Sequence, residues 1–266
     1  LLGTLAAMLA LYDLTRDELA EAGGLRAAFY LVIFPSGFFL AQVYTEGLFV
    51  GLAFSALALL RRKQLLLAGL LAAFATWTRA AGGLLVVPLA LAWLGIVRGD
   101  GLKLNRKMIL NTVSVLLPVA AYLLWNAALG TQFRTVEDGF FGRGLLLIER
   151  SWRTWIQTLQ SLNQNPPPTT VYYLLELGGL ALALVACLVT LRRYPGVALF
   201  GLGVLVLSVT SSIPQSMIRY VLAVPSVYIF LARLGRSTVF DRGWTTISVL
   251  LMGLLATLFT FDLWVA

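Results

Sequence analysis

Few residues in this chain are equipped for chemistry, and their types narrow what that chemistry is. The sequence contains no His, which excludes a Ser-His-Asp triad, a Cys-His pair, a His metal site and an HExxH helix. Its one Cys, Cys187, lies in an apolar run, so there is neither an internal disulfide nor a thiolate cluster. No glycine-rich phosphate motif of the P-loop or dinucleotide-binding kind occurs. Carboxylates, hydroxyls and arginines remain. The informative ones are charged residues at the ends of apolar runs, where lipid would penalise them. Glu46 opens one run directly after Tyr44-Thr45. Arg79 closes another, and Gly82-Gly83 beyond it allow a tight reversal. Arg219-Tyr220 open a third, Glu176 lies near the start of a fourth, and Asp262 is near the end of the last. A carboxylate in such a place can accept a hydroxyl proton or orient the hydroxyl. A fixed arginine there matches the geometry of a phosphate.

Each of these residues also has a plainer reading. A helix N-terminus favours an acid such as Glu46, and a C-terminus favours a base such as Arg79. Asp262 reads as a terminal polar residue, and Glu176 as the ion-pair partner of an arginine inside the bundle. Arg219 is harder to set aside: at a helix N-terminus the dipole disfavours a cation, so an anionic partner is expected. Arg16, Asp17, Glu18 and Glu21 read as a solvated loop, and most Trp and Phe residues as core or interface anchors.

The elements that must position these groups follow from composition. Apolar residues make up 59% of the 266, and charged residues 12%, against about 45–50% and about 25% in soluble domains. Too few polar residues remain to cover a soluble fold of this size. The chain therefore reads as an all-α polytopic membrane protein. Apolar runs fall at about 25–43, 46–60, 64–79, 81–97, 108–129, 171–191, 197–213, 219–234 and 244–262. The apolar stretch 1–12 reads as the tail of a span that begins before Leu1, so the chain is expected to be N-terminally incomplete. That gives nine or ten transmembrane helices in a single domain over 1–266. The runs are too continuous for barrel strands, and helices are the other way to satisfy a backbone in lipid.

Charge then orients the bundle. Net charge is +8, which in a soluble protein would suggest nucleic acid. Here no nucleic-acid partner is expected, because 14 of the 20 basic residues fall in alternate loops: Arg16 and Arg26; Arg61, Arg62 and Lys63; Arg98, Lys103, Arg106 and Lys107; Arg192 and Arg193; Arg233, Arg236 and Arg242. That side reads as cytoplasmic. Glu46, Arg79, Arg219 and the one long loop, 130–170, then lie outside. Within that loop Ile148, Trp152, Trp155, Leu159 and Leu162 recur at helical spacing, predicting an interfacial amphipathic helix over about 145–162. Pro166-Pro167-Pro168 should stop a helix and stiffen the approach to the next span.

The stretch Phe34-Pro35-Ser36-Gly37-Phe38-Phe39-Leu40-Ala41-Gln42-Val43-Tyr44-Thr45-Glu46-Gly47-Leu48-Phe49 resembles the FP…FF…PYTESLF segment of the transferase family that adds the second mannose in GPI-anchor synthesis, and of its bacterial relatives. Leu67-Ala68-Gly69-Leu70 with Thr78-Arg79-Ala80-Ala81-Gly82 is similar to the family's AGLL…TR..G segment. Ser216-Met217-Ile218-Arg219-Tyr220-Val221-Leu222-Ala223-Val224-Pro225 is similar to its S-x-P-R-Y-x-L…P segment, and Trp264-Val265-Ala266 to the bacterial ending. Gln42-Val43, Gly47 and Ile218 depart from the family pattern. They bear on the substrate more than on the class.

The resemblance implies a C-type glycosyltransferase-like bundle. Such a protein moves a sugar, mannose by analogy, from a polyprenyl-phosphate donor to a lipid or glycan acceptor at the extracytoplasmic face. Arg79, Arg219, Tyr220 and Tyr44 are then expected to bind substrate, and Glu46 to assist catalysis. The family's main base, an Asp in the first outer loop, would precede Leu1. Membrane lipids are the remaining partner, and no cofactor, metal or nucleotide is expected. The location would be the plasma membrane of a bacterium or the endoplasmic reticulum of a eukaryote. The competing expectation is a transporter or flippase for a lipid-linked or anionic solute. That class predicts inverted repeats and charges at mid-membrane. No repeat is visible in the sequence, and the charges gather at one face.

Overall fold

The computed structural model describes residues 1–100, 105–142, 144, 146–211 and 214–261, the side chains of Asp100, Phe133, Glu137, Phe140 and Phe141 excepted. Lys103, Arg143, Asp262 and the closing Trp264-Val265-Ala266 lie outside the described residues, as does the side chain of Glu137. Among the described residues the fold is helical, with no strand. The helices are α1 (Leu2–Val32), α2 (Glu46–Arg61), α3 (Leu65–Thr78), α4 (Val86–Asp100), α5 (Arg106–Phe141), α6 (Ile148–Ser161), α7 (Pro167–Thr190), α8 (Pro195–Val209), α9 (Met217–Val221), α10 (Pro225–Leu234) and α11 (Thr238–Thr260), with 3-10 turns at Gly37–Leu40 and Ala80–Leu85. Among the described residues four helical stretches are long and apolar enough to cross a membrane: Ala80–Gly99, Arg106–Gln132, Pro167–Thr190 and Thr238–Thr260. Leu65–Thr78, Pro195–Val209 and Pro225–Leu234 are apolar but shorter.

Several runs that look continuous in sequence are broken. The polar stretch 13–24 is not a loop but part of α1, kinked at Ala20 (φ 57°) so that Gly24 comes against Tyr12. The run 25–43 stops as helix at Val32, before Pro35, which lacks the N–H a further turn needs. The run 219–234 is two short helices, because Pro225 opens α10 and Val224 ahead of it is extended. In the other direction, α5 does not end near 129. It continues to Phe141, so the stretch 130–170 is mostly helix. The proline triplet opens α7 instead of merely stopping a helix: Pro167 and Pro168 occupy its first turn, where the missing N–H groups have no helical partner anyway.

The core lies where α1, α2 and α10 meet. Leu11, Leu14, Tyr30, Phe34, Phe54, Val227, Tyr228 and Ile229 are all at 0–1% exposure. Helices α1 and α2 approach backbone to backbone. A Cβ on Gly51 would stand 2.3 Å from the Gly3 carbonyl oxygen, so small residues set this crossing as they do in membrane bundles. The 3-10 turn 80–85 folds back so closely on α3 that a Cβ on Gly82 would stand 2.4 Å from the Ala75 carbonyl carbon. Gly82 therefore permits the close approach that this reversal requires.

Charged groups collect at two ends of this bundle. At one end Asp13 meets Arg62 (2.5 Å) and Asp17 meets Arg61 (3.1 Å). Glu18 meets Arg233 (2.8 Å) and Arg193 (3.1 Å), and Asp241 meets Arg26 (3.4 Å). These are residues assigned to one side by the alternation of basic loops. Glu18, read from sequence as solvated, is largely enclosed by this network, with its side chain 12% exposed.

Candidate functional site

The other end holds the residues that were singled out for chemistry. Glu46 is the first residue of α2, Arg79 follows the last residue of α3 in extended backbone, and Arg219 sits inside α9. Three separate helix ends therefore deliver one carboxylate and two guanidinium groups to a single point. Glu46 Oε1 accepts from Arg79 Nη1 at 2.5 Å and from Arg219 Nε at 2.6 Å, with Arg219 Nη2 also at 2.6 Å. The anionic partner expected for Arg219 is thus Glu46. The dipole argument used for it does not hold, because α9 is a five-residue turn and not the start of a long helix.

Aromatic rings fix the two arginines further. The Arg219 guanidinium carbon lies 4.4 Å from the Tyr44 ring centroid and 4.6 Å from that of Phe39. The Arg79 carbon lies 5.5 Å from the Tyr220 ring centroid. Cation–π contacts of this kind strengthen as water is excluded. All five residues picked from sequence, Glu46, Arg79, Arg219, Tyr220 and Tyr44, are therefore drawn together. Tyr44 differs from the others in facing Arg219 from outside the cavity wall.

A cavity of about 770 Å³ opens over this cluster, within the range of small-molecule sites. Its inner wall is apolar: Phe49 and Val50 of α2, Ala81 of the 3-10 turn, Val204 and Leu207 of α8, and Leu222 and Ala223 after α9. Glu46, Arg79, Arg219 and Tyr220 form its polar shelf. Its rim comes from α5 and α6, with Tyr122, Trp125, Asn126, Arg134, Asp138 and Arg150. Arg150 pairs with Asp138 at 3.0 Å and Arg134 donates to Asn126 at 2.8 Å. The described lining carries four arginines against two carboxylates, so it favours an anionic occupant.

One atom of the cluster is left over. Glu46 is 1% exposed, and its Oε2 has no hydrogen-bond partner. A buried carboxylate oxygen without a donor is costly, and this one belongs to a residue that lines the cavity. A ligand hydroxyl would satisfy it.

Sequence reasoning missed the part of the rim formed by Tyr122, Asn126 and Arg134. These sit at multiples of four residues along α5, and that spacing, continued past 129, was the available signal. It also misjudged Glu176. Among the described residues no arginine pairs with it; its two oxygens accept the backbone N–H groups of Ser216 and Ile218. The helix at 148–161 forms as expected, with Ile148, Trp152 and Leu159 exposed and Trp155 Nε1 donating to the Val209 carbonyl at 3.0 Å. The chain matches no family model, no curated protein and no solved structure.

Proposed function

We propose that this protein is a membrane glycosyltransferase that moves a sugar, mannose in the closest reading, from a polyprenyl-phosphate donor to a lipid or glycan acceptor at the extracytoplasmic face. The short apolar helices would then complete a C-type glycosyltransferase-like bundle of nine or ten spans. The observation that carries the reading is the Glu46–Arg79–Arg219 cluster, its carboxylate buried and one carboxylate oxygen free, on the shelf of an amphipathic cavity.

The chemistry follows from the parts. The acceptor hydroxyl donates to Glu46 Oε2, and its proton leaves through that carboxylate to solvent in the cavity as the new bond forms. The acceptor oxygen bonds to the sugar's anomeric carbon. The bond from that carbon to the donor phosphate breaks, and its electron pair leaves on the phosphate. Arg79 and Arg219 face that growing charge with donors already fixed by Glu46 and by the Tyr44, Phe39 and Tyr220 rings, so little reorganisation is needed as the bond breaks. Tyr220 lines the sugar pocket, while Tyr44 acts by holding Arg219. The apolar inner wall suits the first isoprene units of the donor.

A transporter predicts inverted repeats, and none is visible in the sequence, which favours transfer over transport. The test uses membranes containing the full-length protein and polyprenyl-phosphate mannose labelled in the sugar. Label is expected in a lipid or glycan acceptor. Intact labelled donor crossing the membrane without transfer would instead point to a flippase and overturn the reading.

A further inference from the structure

The loop that carries Arg219 to the cavity is held by a carboxylate that the cavity itself does not use. Glu176, in the second turn and a half of α7, is 1% exposed. Its Oε1 accepts the Ser216 N–H at 2.8 Å and its Oε2 accepts the Ile218 N–H at 2.6 Å. The Tyr172 hydroxyl, one turn earlier on the same face, accepts from the same Ser216 N–H at 3.2 Å. From the opposite flank the fully buried Ser36 donates through Oγ to the Ile218 carbonyl at 2.8 Å. Ser216 itself is held at φ 64°, ψ 20°, a left-handed conformation that a non-glycine residue keeps only where its surroundings enforce it.

Ile218 is therefore bonded through both its N–H and its C=O, and the next residue is Arg219. A carboxylate is well suited to this task. It is an acceptor at both ends, so it can hold two amides two residues apart and still carry no donor to conflict with them. Its charge strengthens both bonds. Glu176 and Ser36 thus clamp the backbone step that aims the Arg219 guanidinium at Glu46.

We propose that Glu176 is a positioning residue for Arg219, acting through the backbone of 216–218, with Ser36 as its counterpart on the other side. The link to turnover rests on the transferase reading; the clamp itself does not. The reading and the inference can fail separately, because two of the measurements below need no substrate.

The experiment compares the full-length wild type with Glu176→Gln, Glu176→Asp, Ser36→Ala and each Glu176 variant combined with Arg219→Ala, in detergent or vesicles. Gln keeps the shape but turns an NH2 against one of the two amides. In Glu176→Gln, hydrogen exchange of the peptide covering 214–222 should quicken about tenfold, with α2 and α3 unchanged. Modification of Arg219 by a guanidine-selective dicarbonyl should quicken with it. Transfer from polyprenyl-phosphate mannose should fall about tenfold while the unfolding temperature holds, and Glu176→Asp should recover part of the loss. In the Arg219→Ala background Glu176→Gln should cost nothing further, because a residue that works only through Arg219 has nothing left to position. Unchanged exchange and unchanged Arg219 reactivity in Glu176→Gln would overturn the inference. So would an equal loss of transfer with and without Arg219, which is the mark of a general packing role. If wild type transfers no sugar but Glu176→Gln still frees the loop and Arg219, the clamp stands and the transferase reading falls.

Discussion

One carboxylate oxygen at the head of α2 serves two arginines, and that economy shapes what mutation should do. Arg219 reaches Glu46 Oε1 through both Nε and Nη2 while its flat face lies over Tyr44 and Phe39. Removing it should lower transfer by roughly 10²–10³ with normal insertion, the scale seen when one preorganised charge-stabilising contact is lost. Arg219→Lys should restore little, because an ammonium offers neither the planar fork nor the stacking surface. Near wild-type turnover in Arg219→Ala would return that arginine to a structural role. Glu46→Gln should reduce transfer without abolishing it, and should release both arginines at once. Its unfolding temperature should therefore fall further than that of Arg79→Ala. The arginines and Glu46 were legible in the sequence because charge at the edge of an apolar run is rare and must be explained. The second oxygen's vacancy was not, since it depends on where three chain segments meet, 33 residues apart in one case and 173 in another.

At the level of helices, periodicity marked the apolar segments but not their breaks. An apolar run stays apolar across Pro35 and across Val224-Pro225, yet the backbone cannot continue as helix there. Conversely, the polar composition of 130–141 hid the continuation of α5, because its polar face is needed at the cavity rim. The close crossings are where single atoms should matter most. Gly51→Val places two methyl groups where α1 and α2 already touch. It should cost about 1–3 kcal/mol in reversible unfolding, the usual range for overpacking, whereas the same change at Gly95, which meets nothing within 4 Å, should be close to neutral. The ion-paired end predicts a pH effect. Burial opposes ionisation of Glu18, but hydrogen bonds from Arg233 and Tyr194, with the charges of Arg233 and Arg193, hold its carboxyl below the ordinary 4.5. The folded state thus binds the proton less tightly than the unfolded chain. Its contribution is complete above the ordinary value and is lost as pH falls through the lowered one. Unfolding temperature should accordingly drop on the acid side of 4.5, and Glu18→Gln should flatten that part of the profile. An unchanged acid profile in Glu18→Gln would show that the network tying α1 to α10 contributes nothing measurable.

Across the molecule, the alternation of basic loops and the two charged ends agree. Asp13, Arg61, Arg62, Arg193 and Arg233 share one end, while Glu46, Arg79, Arg150 and Arg219 share the cavity at the other. Cysteines placed at the exposed positions Arg192 and Asn163 should therefore react with an impermeant thiol reagent from opposite sides of a sealed vesicle. Labelling of both from one side would reverse the orientation argument. The short helices carry a further consequence. Helices of 14 to 16 residues such as α2, α3 and α8 rise only about 21–24 Å, against a hydrocarbon layer of about 30 Å. In the proposed bundle, where these helices span, the bordering lipids would shorten to match, at a cost that grows with each ångström of mismatch. Reconstituted in bilayers of stepwise longer acyl chains, the protein should be most stable and most active in the thin ones. On the proposed reading, a dimple of this kind would bring phosphate headgroups down toward the cavity, so that a lipid-borne donor would reach the arginines without being lifted out of its leaflet.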